Sequence, residues 1–199
     1  MLAQPCANAK KKELIGEFKN GGQEWQTKGS PEKVNGHDFE DKELGKGLPY
    51  GIHDIFRNKG WVSVGIDHDT AESAVASIRQ WWLRMGKTAY TEATQLLITA
   101  GSGGSNGYRI RLWKRELQKL ADELGLTISV CHFPPGIRKW NKIEHQVFCH
   151  ITANWRTRPL SSLETVVNLI ANTTTTKGLR IECELDKGEY ARGIVVTPD

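Results

Sequence analysis

Residues 95–107 decide the architecture: Gln95-Leu96-Leu97-Ile98-Thr99-Ala100, then Gly101-Ser102-Gly103-Gly104-Ser105-Asn106-Gly107. The first six form a compact apolar run of strand length, and the glycine-rich stretch that follows stops it. Beyond the loop, Leu112, Trp113, Leu117, Leu120, Ala121 and Leu124 recur at helical spacing, which predicts a helix over 109–124 with Gly125 at its end. Residues 126–132 (LTISVCH) read as the next strand.

Upstream, residues 50–56 and 61–66 are short runs rich in β-branched and aromatic residues, separated by Arg57-Asn58-Lys59-Gly60, and predict an antiparallel hairpin. Ala74, Val75, Ile78, Trp81, Trp82 and Met85 then mark an amphipathic helix, capped by Asp69 or Thr70 and ended by Gly86. Downstream, a Pro134-Pro135-Gly136 loop leads to a helical pattern through Val147, Phe148 and Ile151, another over 161–171, and a closing strand over 179–185. The first 50 residues read as irregular or short-stranded, with loop at the acidic run 38–43 and the exposed end of a strand at 10–16. A hairpin followed by alternating helices and strands implies an α/β fold, a mixed sheet with helices packed on it.

The 199 residues suffice for one domain with a real core, and 38% hydrophobic with 25% charged residues excludes collagen-like and wholly disordered chains. No apolar run reaches the roughly 18 residues of a membrane span, and no leader pattern follows Met1, so a cytoplasmic, membrane-free protein is expected. Cys6, Cys131, Cys149 and Cys183 lack metal-ligand spacing and read as free buried thiols. The net charge is only +4, but residues 76–120 hold 8 basic against 2 acidic residues, a footprint suited to nucleic acid.

Four features bear on chemistry. The loop 101–107 lies at the carboxyl end of a strand, where open sheets place ligands, and could face a phosphate or simply connect; no Gly-Lys-Ser/Thr makes it a Walker loop. Glu144 and His145 sit in the first turn of a helix, where an acid also complements the helix dipole. Asp67-His68-Asp69 suggests a metal, although capping explains it. Finally, Arg109, Arg111, Lys114, Arg115, Arg138, Lys139 and Lys142 stand near tryptophans, a combination suited to phosphate contact beside base stacking, with Trp81 and Trp113 assigned to the core.

The words GWVSVGIDHDTAESAVASIRQWW (60–82), LLITAGSGGSNGYRIRLWKRELQKLADELGL (96–126), ISVCHFPPGIRKWNKIEHQVF (128–148) and LIANTTTTKGLRIECELD (169–186) resemble the ISAzo-thirteen-type insertion-sequence transposases, the Rhodopirellula-type DDE transposase domain. The resemblance runs from about residue 10 onward. It implies a ribonuclease-H-like fold whose first three strands are antiparallel, and DNA cleavage and joining by two divalent cations, Mg²⁺ or Mn²⁺, held by two aspartates and a glutamate. It also implies DNA, in the form of transposon ends, as partner, a nucleoid-associated location, and self-association or pairing with a full-length transposase.

By motif the glutamate is Glu144 in KWNKIEH, while Asn8 and Gly101 stand where the family has its aspartates. Residues 1–9, with Pro5, do not read as the central strand that carries the first aspartate, so the chain is expected to be an N-terminally altered or truncated copy with residues 10–199 as the DDE domain. With Glu144 the one anionic ligand left, a metal pair is not expected to bind and catalysis is expected to fail. Two other readings stand beside this one: a non-catalytic DNA-binding or transposase-interfering module, and a fragment left unstable, with Val62, Leu97 and Val130 undercovered by the lost strand.

Overall fold

The computed structural model describes residues 2–23, 25–31, 33–36, 39, 44–136 and 138–197. Its strands are β1 (Leu2–Ala3), β2 (Pro5–Ala9), β3 (Glu13–Leu14), β4 (Lys46–Asp54), β5 (Lys59–Gly65), β6 (Gln95–Ala100), β7 (Thr127–His132) and β8 (Arg180–Asp186). Its helices are α1 (Ala71–Trp81), α2 (Lys87–Ala89), α3 (Arg111–Leu124), α4 (Cys149–Asn154) and α5 (Leu163–Ala171), with π-helical turns at Trp82–Gly86 and Glu144–Phe148.

One mixed sheet organises the chain. β2 runs antiparallel to β4, and β4 antiparallel to β5, while β6 lies parallel to β2 on its other side. β7 extends the sheet beyond β6 and β8 extends it beyond β5, both in parallel. β1 pairs with β6 in the same register as β2, so the two act as one strand interrupted at Gln4.

This corrects the expectation for residues 1–9. Pro5–Ala9 is the central strand, and Cys6 and Ala7 are fully buried. Proline is accepted because it opens the strand, opposite Asp54 at the end of β4, where a missing N–H costs the ladder little. Val62 is accordingly fully buried, and Leu97 and Val130 are half-buried.

Helices cover both faces. Ala7, Ile52, Trp61 and Ile98 pack with Trp81, Trp113 and Leu117 on the α1/α3 side. Cys6, Val62 and Val64 pack with Phe148, Ile151, Trp155, Val166 and Ile170 on the α4/α5 side. Alternation along β2 sends Ala7 to the first layer and Cys6 to the second.

Several local expectations shift. The hairpin turns at Asn58, with φ 50°, whereas Gly60 is already paired with His53. Thr70 alone caps α1 through a reciprocal capping box with Ser73, leaving Asp67 to accept from the Tyr190 amide at 2.7 Å and to pair with His68. That amide bond holds the Asp67 carboxyl below its usual pKa. Gly86 does not end the helix, which continues to Ala89; a Cβ there would lie 2.6 Å from the Trp82 ring, so the glycine serves packing. α3 starts at Arg111 and ends as expected at Gly125, which has φ 65°. Of the four cysteines only Cys6 is buried; Cys183 is half-buried, and Cys131 and Cys149 are exposed. Of the acidic run read as loop, residue 38 and residues 40–43 lie outside the described residues.

One close approach seats the second layer. Gly51 pairs with Asn8 across the ladder, and a Cβ on it would lie 2.6 Å from Phe148 and 3.0 Å from Ile143. The absent side chain lets the π-turn descend onto the strand pair. Gly51→Ala should therefore overpack the site by about 1–3 kcal/mol, lowering the thermal midpoint by roughly 2–4 °C for each kcal/mol. A midpoint unchanged in differential scanning calorimetry would mean that the turn does not bear on Gly51.

Candidate functional site

Three separate stretches converge at one end of the sheet. Asn8 is the penultimate residue of β2, Gly101 directly follows β6, and Glu144 opens the π-turn beyond the Pro134-Pro135-Gly136 loop. The parallel register places Ala7 beside Ala100, so the next residues, Asn8 and Gly101, emerge side by side. Glu144 reaches them because Val147 and Phe148 in the same turn, fully buried or nearly so, anchor it on the α4/α5 face. Phe148 is the residue that Gly51 admits.

Asn8 Nδ2 donates to Glu144 Oε1 at 3.0 Å. A Cβ built on Gly101 would lie 3.1 Å from Asn8 Oδ1. The three positions singled out from the sequence are thus neighbours around a cleft of about 370 Å³, whose wall also includes Lys11, Ser102 and Asn141. The amide orientation follows from charge, since a carbonyl oxygen turned toward the carboxylate would repel it while the N–H attracts it.

Beneath the cleft, Cys6 Sγ donates to Asn141 Oδ1 at 3.1 Å, and Asn141 O accepts from the Glu144 amide at 3.2 Å. Burial raises the Cys6 pKa above its ordinary value, so the thiol stays protonated and keeps its donor. The glycine-rich loop is packed at Ser105, Asn106 and Gly107, while Gly101, Ser102 and Gly103 line the cleft. Asn106, fully buried, donates to Ala7 O, and its carbonyl lies 2.8 Å from His132 Nε2. With α3 beginning only at Arg111, the loop holds β2 in place and does not offer a helix N-terminus to the cleft.

The donor set does not fit a pair of divalent cations. Hard cations need several anionic oxygens, and among the described residues no group of three or more His, Cys, Asp or Glu is placed to hold a metal. Among those residues Glu144 is the one acid lining the cleft, and a positively polarised N–H already sits against one of its oxygens. Asn8 contributes at best a neutral carbonyl oxygen, and Gly101 contributes no side chain.

The basic residues singled out from the sequence are dispersed. Arg109, Arg111, Lys114, Arg115, Lys139 and Lys142 are exposed, and none lines the cleft; the side chain of Arg138 lies outside the described residues. Arg109 sits 5.2 Å from the centre of the exposed Tyr108 ring, and Arg115 pairs with Glu116 at 3.1 Å. Of the tryptophans near them, Trp81, Trp113 and Trp155 are core, while Trp140 is 51% exposed. Among the described residues, the cation that lines the cleft, Lys11, is not distinguished by the sequence reading from its neighbours in Lys10-Lys11-Lys12. The signal that separates them is pairing at short range: Lys10 is drawn inward to Glu13 at 2.8 Å, leaving its two neighbours exposed.

No helix among the described residues is long and apolar enough to cross a membrane. No functionally curated protein matches the sequence. Among solved structures, the chain is similar to one in a crystal structure of a pre-cleavage Mos1 transpososome, with a TM-score of 0.55 and 9% identity over 82% of this chain and 46% of that one. It is also similar to one in the Mos1 transposase paired-end complex with left transposon end, with a TM-score of 0.49 and 11% identity over 81% and 45%. The chain therefore spans about half the length of the structures it matches. The fold is ribonuclease-H-like, a central mixed sheet with an antiparallel start and helices on both faces. The sequence matches the Rhodopirellula transposase DDE domain over residues 6–199, a span that takes in most of the central strand, and the chain belongs to that family.

Proposed function

We propose that this domain keeps the DNA-engaging role of a DDE transposase and has lost metal-dependent strand cleavage. The observation that carries the reading is the Asn8–Glu144 hydrogen bond beside a side-chain-less Gly101. In-line attack on a phosphodiester needs charge neutralised on both the attacking and the leaving oxygen. One carboxylate bridged to an amide supplies no such centre. DNA is the proposed partner on the strength of family membership and of the exposed Lys11 in the cleft wall. The domain would occupy transposon ends, alone, as an oligomer or alongside an active transposase, and so interfere with transposition.

The backbone around the site would still accept the missing groups. At Gly101 the nearest obstacle to a Cβ is the end of the Asn8 side chain, which can yield, and the φ of Gly101 is not in the left-handed region. The loss therefore lies in the side chains rather than in the scaffold.

Two outcomes follow. With duplexes carrying the terminal inverted repeats, wild-type protein in millimolar Mg²⁺ or Mn²⁺ should give no nicked or joined product above the protein-free control on denaturing gels. Metal-dependent product that disappears in Glu144→Gln would overturn the reading. Separately, the double substitution Asn8→Asp with Gly101→Asp should bind Mn²⁺ at least about tenfold more tightly than wild type by titration calorimetry. Three crowded carboxylates should also lower its thermal midpoint in EDTA and let Mn²⁺ restore it, whereas the wild-type midpoint should ignore the metal.

A further inference from the structure

A second depression adjoins the cleft. Beside β3 lies a groove of about 340 Å³ walled by Lys11, Lys12, Lys19 and Lys46, with Glu13 the one acid among the described residues that line it. Lys11 also lines the cleft at Asn8 and Glu144, so the two depressions share that residue in their walls. Glu13 does not offset the lysines, because Lys10 already neutralises it at 2.8 Å. Lys10 in turn is withdrawn from solvent, its side chain 8% exposed and its ammonium 4.3 Å from the Trp155 ring centre.

The groove is braced as well as charged. Asn20 on its wall donates to Trp155 O at 2.9 Å, and Gly21 O accepts from the Thr157 amide at 2.9 Å, tying this segment to the end of α4. The α3 surface, favoured by counting charges along the sequence, is less positive than that count, although Glu123 is taken by Arg79 of α1 at 2.6 Å. Its Arg111, Lys114, Arg115 and Lys119 share the helix with Glu116, Asp122 and Glu123, and both Arg115 and Lys119 bond to Glu116.

We infer that the phosphates of a DNA strand run from the cleft over Lys11 into this lysine-walled groove, and that the groove rather than the face of α3 supplies most of the affinity. Ammonium groups on flexible stems suit such a track, because they meet phosphates as point charges, without the fixed geometry that base recognition demands. Binding should therefore be insensitive to sequence here and strongly sensitive to salt. The inference rests on the DNA-engaging reading above and adds its location.

Fluorescence anisotropy of a labelled duplex in EDTA across a salt series tests it with the full chain. Wild type should bind at low salt, with log affinity falling steeply against log salt. Lys11→Ala, Lys12→Ala and Lys19→Ala together should weaken binding at least about tenfold and reduce the slope by about 2–3, near 0.9 for each phosphate no longer neutralised. Lys114→Ala with Arg115→Ala should leave affinity within about twofold and the slope unchanged. Near-UV circular dichroism should match wild type for both variants, as the substituted side chains are exposed. If the triple variant retains the wild-type slope, or the α3 variant takes the larger loss, the groove is not the track. If duplex RNA of the same sequence binds more tightly than DNA through these lysines, the DNA assignment is wrong. Absence of salt-sensitive binding by wild type at low salt would instead remove the DNA-engaging reading itself.

Discussion

The position of every candidate group depends on the ladder that clamps β2 between β4 and β6. Pairing of Ala7 with Ala100 puts the following residues, Asn8 and Gly101, shoulder to shoulder, and pairing of Asn8 with Gly51 sets the third group above them. The side-chain period of a strand is two, so a slip of one residue would turn Asn8 into the α1/α3 layer and Ala7 toward Glu144. Burial forbids that slip. Cys6 fits beneath Asn141, and Ala7 is fully buried in the layer under α1 and α3. Register, rather than any single interaction, is what makes the cleft a site.

Within that frame, the proposed reading separates chemistry from scaffold. A two-metal centre places several anions in close quarters, and their repulsion is relieved only when the ions bind. An amide and a glycine at two of the three positions remove the repulsion, and the Asn8–Glu144 bond satisfies what remains. The close approach at Gly51 and the hydrogen bonds of Cys6, Asn141 and Asn106 hold the scaffold beneath a cleft with no anionic cage among its described residues. The residues that hold the fold are not those that would hold the ions, which on the proposed reading lets one outlast the other.

The parts of this arrangement that were legible in the sequence are those that bury large apolar side chains in a regular period. β6, running from Gln95 to Ala100, matched its expectation residue for residue, and the buried face of α3 carried the expected Leu112, Trp113, Leu117 and Leu120. β2 was hidden for the opposite reason. Its residues, Pro-Cys-Ala-Asn-Ala, combine low strand propensity with small side chains, because a strand covered on both faces by close-packed layers has room for little else. Propensity reads what a residue prefers alone; the centre of a sheet selects what fits. Gly86 misled similarly, since it answers to the Trp82 ring and not to the end of a helix. Glu144 could be located by its motif, but its bond to Asn8 joins residues 136 positions apart, and no local pattern encodes it.

Electrostatics shows the same limit in another form. A count along the sequence makes 76–120 the basic region and 1–49 neutral, yet charge acts through distance in space and through pairing. On α3 Arg115 and Lys119 both bond to Glu116 on the same helix, which partly offsets bases that a count along the sequence adds in full. Near β3 the reverse occurs. Lys10 bonds Glu13 and turns inward, removing one base and one acid from the surface together, and the lysines that line the groove converge from β4, from the segment after β3 and from the end of β2. A neutral stretch of sequence thereby yields a positive groove, and a basic stretch yields a helix whose charges are partly offset. The sign of a surface is a property of the fold, and here the fold sets its positive groove directly beside the cleft.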